Sequence, residues 1–159
     1  MLNQLDHIAF RTDDLDALVT HYTQNLSYEV IQEMTLQFGE SRALSRVLQL
    51  PGHPFYVFVD MGMTPDNIIS QWVAAHGSGL HHLAYLVDDI DAAHDALKKR
   101  GVEFTTGHVI DTGGGLRQLF TQPDPVTGLI TEFIQRDRPD VFFVQKNVEA
   151  LIRSTQGLE

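Results

Sequence analysis

The chain has 159 residues, 43% of them hydrophobic and 20% charged, which is the composition of a globular domain and not of a disordered or fibrous chain. With 11 basic against 21 acidic residues the formal net charge is −10, so there is no basic footprint for nucleic acid and no attraction to an anionic membrane surface. Cysteine is absent, which excludes disulfides, thiolate nucleophiles and Cys-type zinc sites and leaves His and carboxylates to hold any metal.

In chain order, residues 5–10 form a short apolar run bounded by polar residues and predict a strand. Asp13-Asp14 then offers a helix N-cap, and Leu15, Leu18, Val19 and Tyr22 recur at helical spacing. Strands are predicted over residues 29–34, 41–50 and 54–60. A short helix over 67–75 stops before Gly77-Ser78-Gly79. A strand over 80–86 leads to Asp88-Asp89, a second N-cap, and to a helix carrying Ile90, Ala93 and Leu97 and closing on Lys98-Lys99-Arg100-Gly101. Further strands are predicted over 103–105, 115–121 and 128–135, and an amphipathic helix over 144–154. No apolar run approaches the roughly 20 residues of a membrane span, and Met1-Leu2-Asn3-Gln4 lacks the basic start and apolar core of a signal peptide. The expectation is a soluble cytoplasmic protein.

The order of elements repeats because the sequence repeats. Residues 5–17 and 80–92 align at a constant shift of 82 − 7 = 75, with Leu, His, Ala, Asp, Asp, Asp and Ala identical and Ile8/Leu83, Phe10/Tyr85 and Leu15/Ile90 conservative. Each copy reads βαβββ. The expected fold is therefore α+β: two tandem βαβββ modules making a curved mixed sheet, followed by a C-terminal helix. The expected boundaries are 1–66 for the first module, 67–79 for a helical linker, 80–137 for the second module and 138–159 for the tail and helix, within one domain.

The duplication places His7 and His82 at equivalent points, so both can face one central cavity. A single buried His is more often a satisfied core residue than a ligand; a repeated one on a repeated strand is a different matter. Alternation puts His82 and Ala84 on one face of their strand and His81 on the other, so His81 is not a candidate ligand. In the last strand Ile130, Glu132 and Ile134 share a face, and a carboxylate between two isoleucines is costly unless it is paired, protonated or bound to a cation. Two imidazoles and one carboxylate make a facial triad with open positions, a set suited to Fe(II) that Zn, Mn, Ni or Co also accept. Gly113-Gly114-Gly115 opens no helix and reads as a loop, not as a phosphate cradle. His76, His94 and His108 read as loop or helix-surface residues, and Trp72 as packing for the linker helix.

On these residues the chain resembles the vicinal oxygen chelate superfamily, which includes glyoxalase I, methylmalonyl-CoA epimerase and 4-hydroxyphenylpyruvate dioxygenase. The resemblance covers nearly the whole chain and implies metal ligands at His7, His82 and Glu132. Ser41-Arg42-Ala43-Leu44-Ser45-Arg46-Val47, Ser70-Gln71-Trp72, the 116–123 stretch around Gln118, Glu132-Phe133-Ile134-Gln135-Arg136 and Asn147-Val148-Glu149-Ala150-Leu151 look most like the catalytic C-terminal half of the dioxygenase. Phe58 stands where glyoxalase I and the epimerase carry a fourth ligand, and Met61 or Gly62 where the dioxygenase has a substrate-contacting Asn.

The resemblance implies a non-haem Fe(II) dioxygenase acting on a small bidentate substrate such as a 2-oxo acid, with Gln118 reaching the substrate carbonyl. The alternative is a metal-dependent epimerase or lyase with Glu40 or Glu132 as base, and the third reading is a non-enzymatic small-molecule binder. A homodimer is the expected assembly.

Overall fold

A computed structural model describes residues 2–158 and is α+β, with a helix near the C-terminus as expected. Its elements are β1 (Leu2–Arg11), α1 (Leu15–Thr20) running into a π-helical turn (His21–Asn25), β2 (Glu29–Phe38), β3 (Ser41–Gln49), β4 (Tyr56–Gly62), α2 (Ile68–His76), β5 (Gly79–Val87), α3 (Ile90–Lys99), β6 (Leu116–Phe120), β7 (Ile130–Arg136) and α4 (Gln145–Arg153). Among the described residues no helix is long and apolar enough to cross a membrane. The chain forms two compact units, one of His7–His81 with the residues after Thr155, the other of His82–Thr155 with the residues up to Asp6.

In the His7–His81 unit the strands run in the order β2-β3-β4-β1. β2, β3 and β4 pair antiparallel, and β4 pairs with β1 in parallel. Strand alternation gives the sheet two faces. The outer face buries Leu48, Val57 and Val59 against Leu15 of α1, with Ile8, Phe10, Leu18 and Val19 packed around them. The inner face carries His7, Ala9 and Arg11 from β1, in register with Tyr56, Phe58 and Asp60 of β4.

In the His82–Thr155 unit β5 pairs with β7 in parallel and β7 with β6 antiparallel. The outer face buries Val87, Leu119 and Phe133 against Ile90 and Ala93 of α3. The inner face is covered by α4, whose Leu151 packs with Ile110, Phe120 and Ile130. The start of α4 is seated by a glycine: a Cβ on Gly114 would collide with the Val144 side chain, so the loop can approach the helix N-cap only without a side chain there.

The duplication is visible in the caps. Asp14 accepts from Ala17 N at 3.0 Å, and Asp89, 75 residues later, accepts from Ala92 N at 3.0 Å. Each unit also has one parallel pair, β1 with β4 and β5 with β7. The second copy nevertheless departs from the expected βαβββ pattern. Residues 103–105 form no strand; Phe104 makes an isolated bridge to Thr121, and Ile110 another to Gln118. The chain bends between these two points, at Thr105-Thr106-Gly107-His108, and the bend interrupts the ladder.

One buried group costs the fold something. Asp60 is 4% exposed, and its pKa is raised from 3.8 to about 6, first by burial, with the Ser45 hydroxyl and the charges of Arg11 and His7 pulling the other way. The folded state therefore holds this proton more tightly than the unfolded chain. The contribution is fully present below about pH 4 and is lost as pH rises through about 6, an upper limit of about 3 kcal/mol for a shift of roughly two units. Asp60→Asn is expected to gain on the native protein in urea midpoint between pH 4 and pH 7; parallel pH profiles for the two would show that Asp60 ionises at no cost.

Candidate functional site

His82 and Glu132 come together because β5 and β7 run parallel in a register that sets Ala84 opposite Glu132 and His82 opposite Ile130. His82 Nε2 lies 3.1 Å from Glu132 Oε2. The His82 ring rests on Phe120, with centroids 4.7 Å apart, and Glu132 is 1% exposed. A carboxylate this deep needs partners for its lone pairs.

The second oxygen has one. Gln118 Nε2 donates to Glu132 Oε1 at 2.7 Å. Gln118 Oε1 in turn accepts from Asn147 Nδ2 of α4 at 2.9 Å, and the same amide donates to Leu116 O at 3.0 Å. Asn147 Oδ1 accepts from the Thr112 hydroxyl at 2.6 Å and the Thr112 backbone N–H at 3.2 Å. The chain of bonds thus has a single direction, from Thr112 through Asn147 and Gln118 to Glu132, and every amide orientation along it is determined by its neighbours. Gln118 and Asn147 are fully buried. The resemblance has Gln118 reaching toward substrate and includes Asn147 only within a stretch similar to the dioxygenase; Thr112 is not singled out by the sequence. An Asn on the same helical stripe as Leu151 was the available signal.

His7 is 1% exposed on the inner face of its own unit. Phe58 is buried two positions along β4 from His7's register partner, with its ring 5.1 Å from the imidazole. It offers His7 an apolar wall and no donor atom. Gly62 is also explained: a Cβ there would meet Asn67 Oδ1 at 2.8 Å, because Asn67 caps α2 and is itself tied to Ser41 and Arg42. Asp60 is buried on the same face as Phe58, beside Ser45.

Other candidates fall elsewhere. Glu40 is exposed in the turn joining β2 to β3. His81 is buried edge-on against Trp72, 5.3 Å between centroids, on the face opposite His82. His76 stacks on Trp72, with centroids 4.7 Å apart. His94 is not a surface residue as expected; it is buried against Phe104, and burial lowers its pKa. Arg136 at the end of β7 makes a bidentate pair with Asp6, 3.0 Å at each bond, donates to Val141 O and lies 4.8 Å from the Phe143 ring, which anchors the segment leading into α4.

Comparisons with known proteins give the family and the fold. The chain is 27% identical over 138 residues to the ethylmalonyl-CoA/methylmalonyl-CoA epimerase of Cereibacter sphaeroides, covering 85% of this chain and 99% of that one. It is 26% identical over 145 residues to human mitochondrial methylmalonyl-CoA epimerase, covering 84% of this chain and 74% of that protein. A solved structure of a 4-hydroxymandelate synthase variant from Streptomyces coelicolor superposes with a TM-score of 0.85 at 25% identity over 98% of this chain. The chain spans about half the length of that synthase, 54%. The family model described as Glyoxalase/Bleomycin resistance protein/Dioxygenase superfamily matches residues 6–120. With its duplicated strand–helix units and buried His and Glu side chains, the chain belongs to the glyoxalase/bleomycin resistance protein/dioxygenase superfamily.

Proposed function

We propose that this chain is a metal-dependent enzyme in which His7, His82 and Glu132 hold one divalent ion. Its substrate, a small carbonyl compound, binds through two oxygens and exchanges a proton at the carbon next to the carbonyl. The metal part rests on one observation: a candidate ligand atom from each of the three residues lies within 4.8 Å of the others, and all three are buried. The donor set fits. Two imidazoles and a carboxylate suit Fe(II), Zn, Mn, Ni or Co. Two donors each about 2.1 Å from one ion and at right angles stand about 3.0 Å apart; His82 Nε2 and Glu132 Oε2 are separated by 3.1 Å. Gln118, donating to the other carboxylate oxygen, is the kind of outer partner that orients a ligand.

The proton-transfer part is supported by the two curated epimerases, which are similar to this chain over 84% and 85% of its length. A bound ion would polarise the carbonyl and make the neighbouring C–H more acidic. The chain's own part is to hold the substrate and carry the proton. Of the two carboxylates considered for that task, Glu132 is buried beside His82 and Glu40 is exposed on a turn, so the assignment goes to Glu132, whose Oε2 would serve as base only when off the ion, with Oε1 held by Gln118. The dioxygenase reading becomes the second one. It is favoured by Phe58, which leaves three protein ligands, and by the synthase structure, whose likeness covers 98% of this chain.

Protein purified without chelator is expected to carry about one divalent ion per chain by elemental analysis. His82→Ala should lose it, and Gln118→Leu should weaken binding by about 10- to 100-fold. Retention of a full complement by His82→Ala would remove His82 from the ligand set. In deuterated water with methylmalonyl-CoA, deuterium is expected to enter the α-carbon without oxygen consumption, and Glu132→Gln to slow this by about 100-fold or more. Oxygen uptake by iron-loaded protein with 2-oxo acids, and no deuterium entry, would decide for the second reading.

A further inference from the structure

Arg136 closes β7, and all three nitrogens of its guanidinium are engaged. Nε and Nη2 each donate to one oxygen of Asp6 at 3.0 Å, Nη1 donates to Val141 O, and the Phe143 ring lies 4.8 Å from Cζ. The side chains of the ion pair are only 7% and 4% exposed, and both residues belong to the unit that carries Glu132. Taking two such charges out of water is costly, and apolar groups of similar volume often serve a fold as well or better. A buried pair of this kind is explained by what it positions more than by the stability it adds.

Its contacts lead to the candidate ligands by two routes. The first is short: Asp6 immediately precedes His7 in β1. The second runs through residues 137–144, which join β7 to α4 and include Val141 and Phe143. This segment lies along the loop before β6. Asp137 N donates to Gly115 O at 3.0 Å, a Cβ on Gly114 would collide with Val144, and one on Gly115 would touch Val141. Thr112 stands two residues before Gly114, and Asn147 three residues after Val144. Their mutual hydrogen bond sets the Asn147 amide, which in turn points Gln118 at Glu132. How the segment sits on the loop therefore decides whether Thr112 and Asn147 meet.

We propose that Arg136 is a positioning residue for the metal site. One guanidinium sets the strand of His7 through Asp6 and, through residues 137–144, the Gln118 hydrogen bond on Glu132. It touches neither ion nor substrate. The planar fork matters as much as the charge: two parallel bonds to Asp6 leave Nη1 aimed at Val141 O, which a point-like ammonium cannot reproduce. This inference rests on the metal site assigned above.

Two measurements on the metal-stripped full chain test it: zinc affinity by competition with a chromophoric chelator, and the visible spectrum after loading with cobalt(II), which reports ligand geometry. In the double variant Asp6→Leu/Arg136→Met both charges go together, so the urea midpoint of the metal-free protein is expected to stay close to native. Its zinc dissociation constant should rise about 10- to 100-fold, the usual effect of losing the groups that orient ligands, and its cobalt bands should shift. Arg136→Lys, which keeps the charge without the fork, should raise the constant about 10-fold. Arg138→Ala, which removes an exposed pair with Asp140 from the same segment, should change neither readout. Native zinc affinity with native cobalt bands in the double variant would overturn the assignment and leave the pair as packing. If the double variant does not fold, native affinity in Arg136→Lys overturns it. A loss in Arg138→Ala as large as in Arg136→Lys would overturn it as well. If the native protein binds neither metal, or His82→Ala binds both as tightly, the metal site fails and this assignment with it.

Discussion

The buried carboxylate of Glu132 is the constraint around which its unit is organised. A carboxyl group at 1% exposure is tolerable only if its oxygens have partners. One oxygen faces His82, and the other takes the amide of Gln118. Gln118 can serve only if its own carbonyl is occupied, and α4 supplies Asn147 for that. The C-terminal helix is thus more than a lid on apolar residues. It carries the amide that points Gln118's donor at the carboxylate. Leu151 and Val148 bind the helix by area, and Asn147 sets its position.

The internal duplication explains why such a site forms on this architecture. One strand–helix unit buries its outer face under its own helix, as Leu15 does in the first copy and Ile90 in the second. The inner faces are then left with the polar side chains. In the first copy those are His7, Arg11, Ser45 and Asp60; in the second, His82, Gln118 and Glu132. The second satisfies its polar groups with a chain of hydrogen bonds from Thr112 to Glu132. In the first, the Ser45 hydroxyl beside Asp60 works against the burial that raises the Asp60 pKa.

Two positions of β4 shape this inner face. Phe58 sets a ring against His7 and offers it no donor atom. Gly62 makes room for the Asn67 cap and Ser70, so no side chain can project from that point of β4. Asp60, two residues earlier, is the buried polar group on the same face.

What the sequence determined by itself is what local rules control. Strand alternation put His82 and Glu132 on inward faces and His81 on the other; the Asp caps and the 75-residue shift paired His7 with His82. Those features need only a few neighbouring residues to be read. The tertiary structure decided the rest. Asn147 meets Gln118 across 29 residues, and Ser45 meets Asp60 through a register that no local pattern states. Residues 103–105 look like a strand, but a bend after Thr105 leaves them a single bridge. His94 reads as a surface residue until Phe104 folds over it. In each case the deciding quantity was which distant backbone came to lie alongside, and that depends on the packing of the whole sheet and its helices, not on the residues within one turn or one strand.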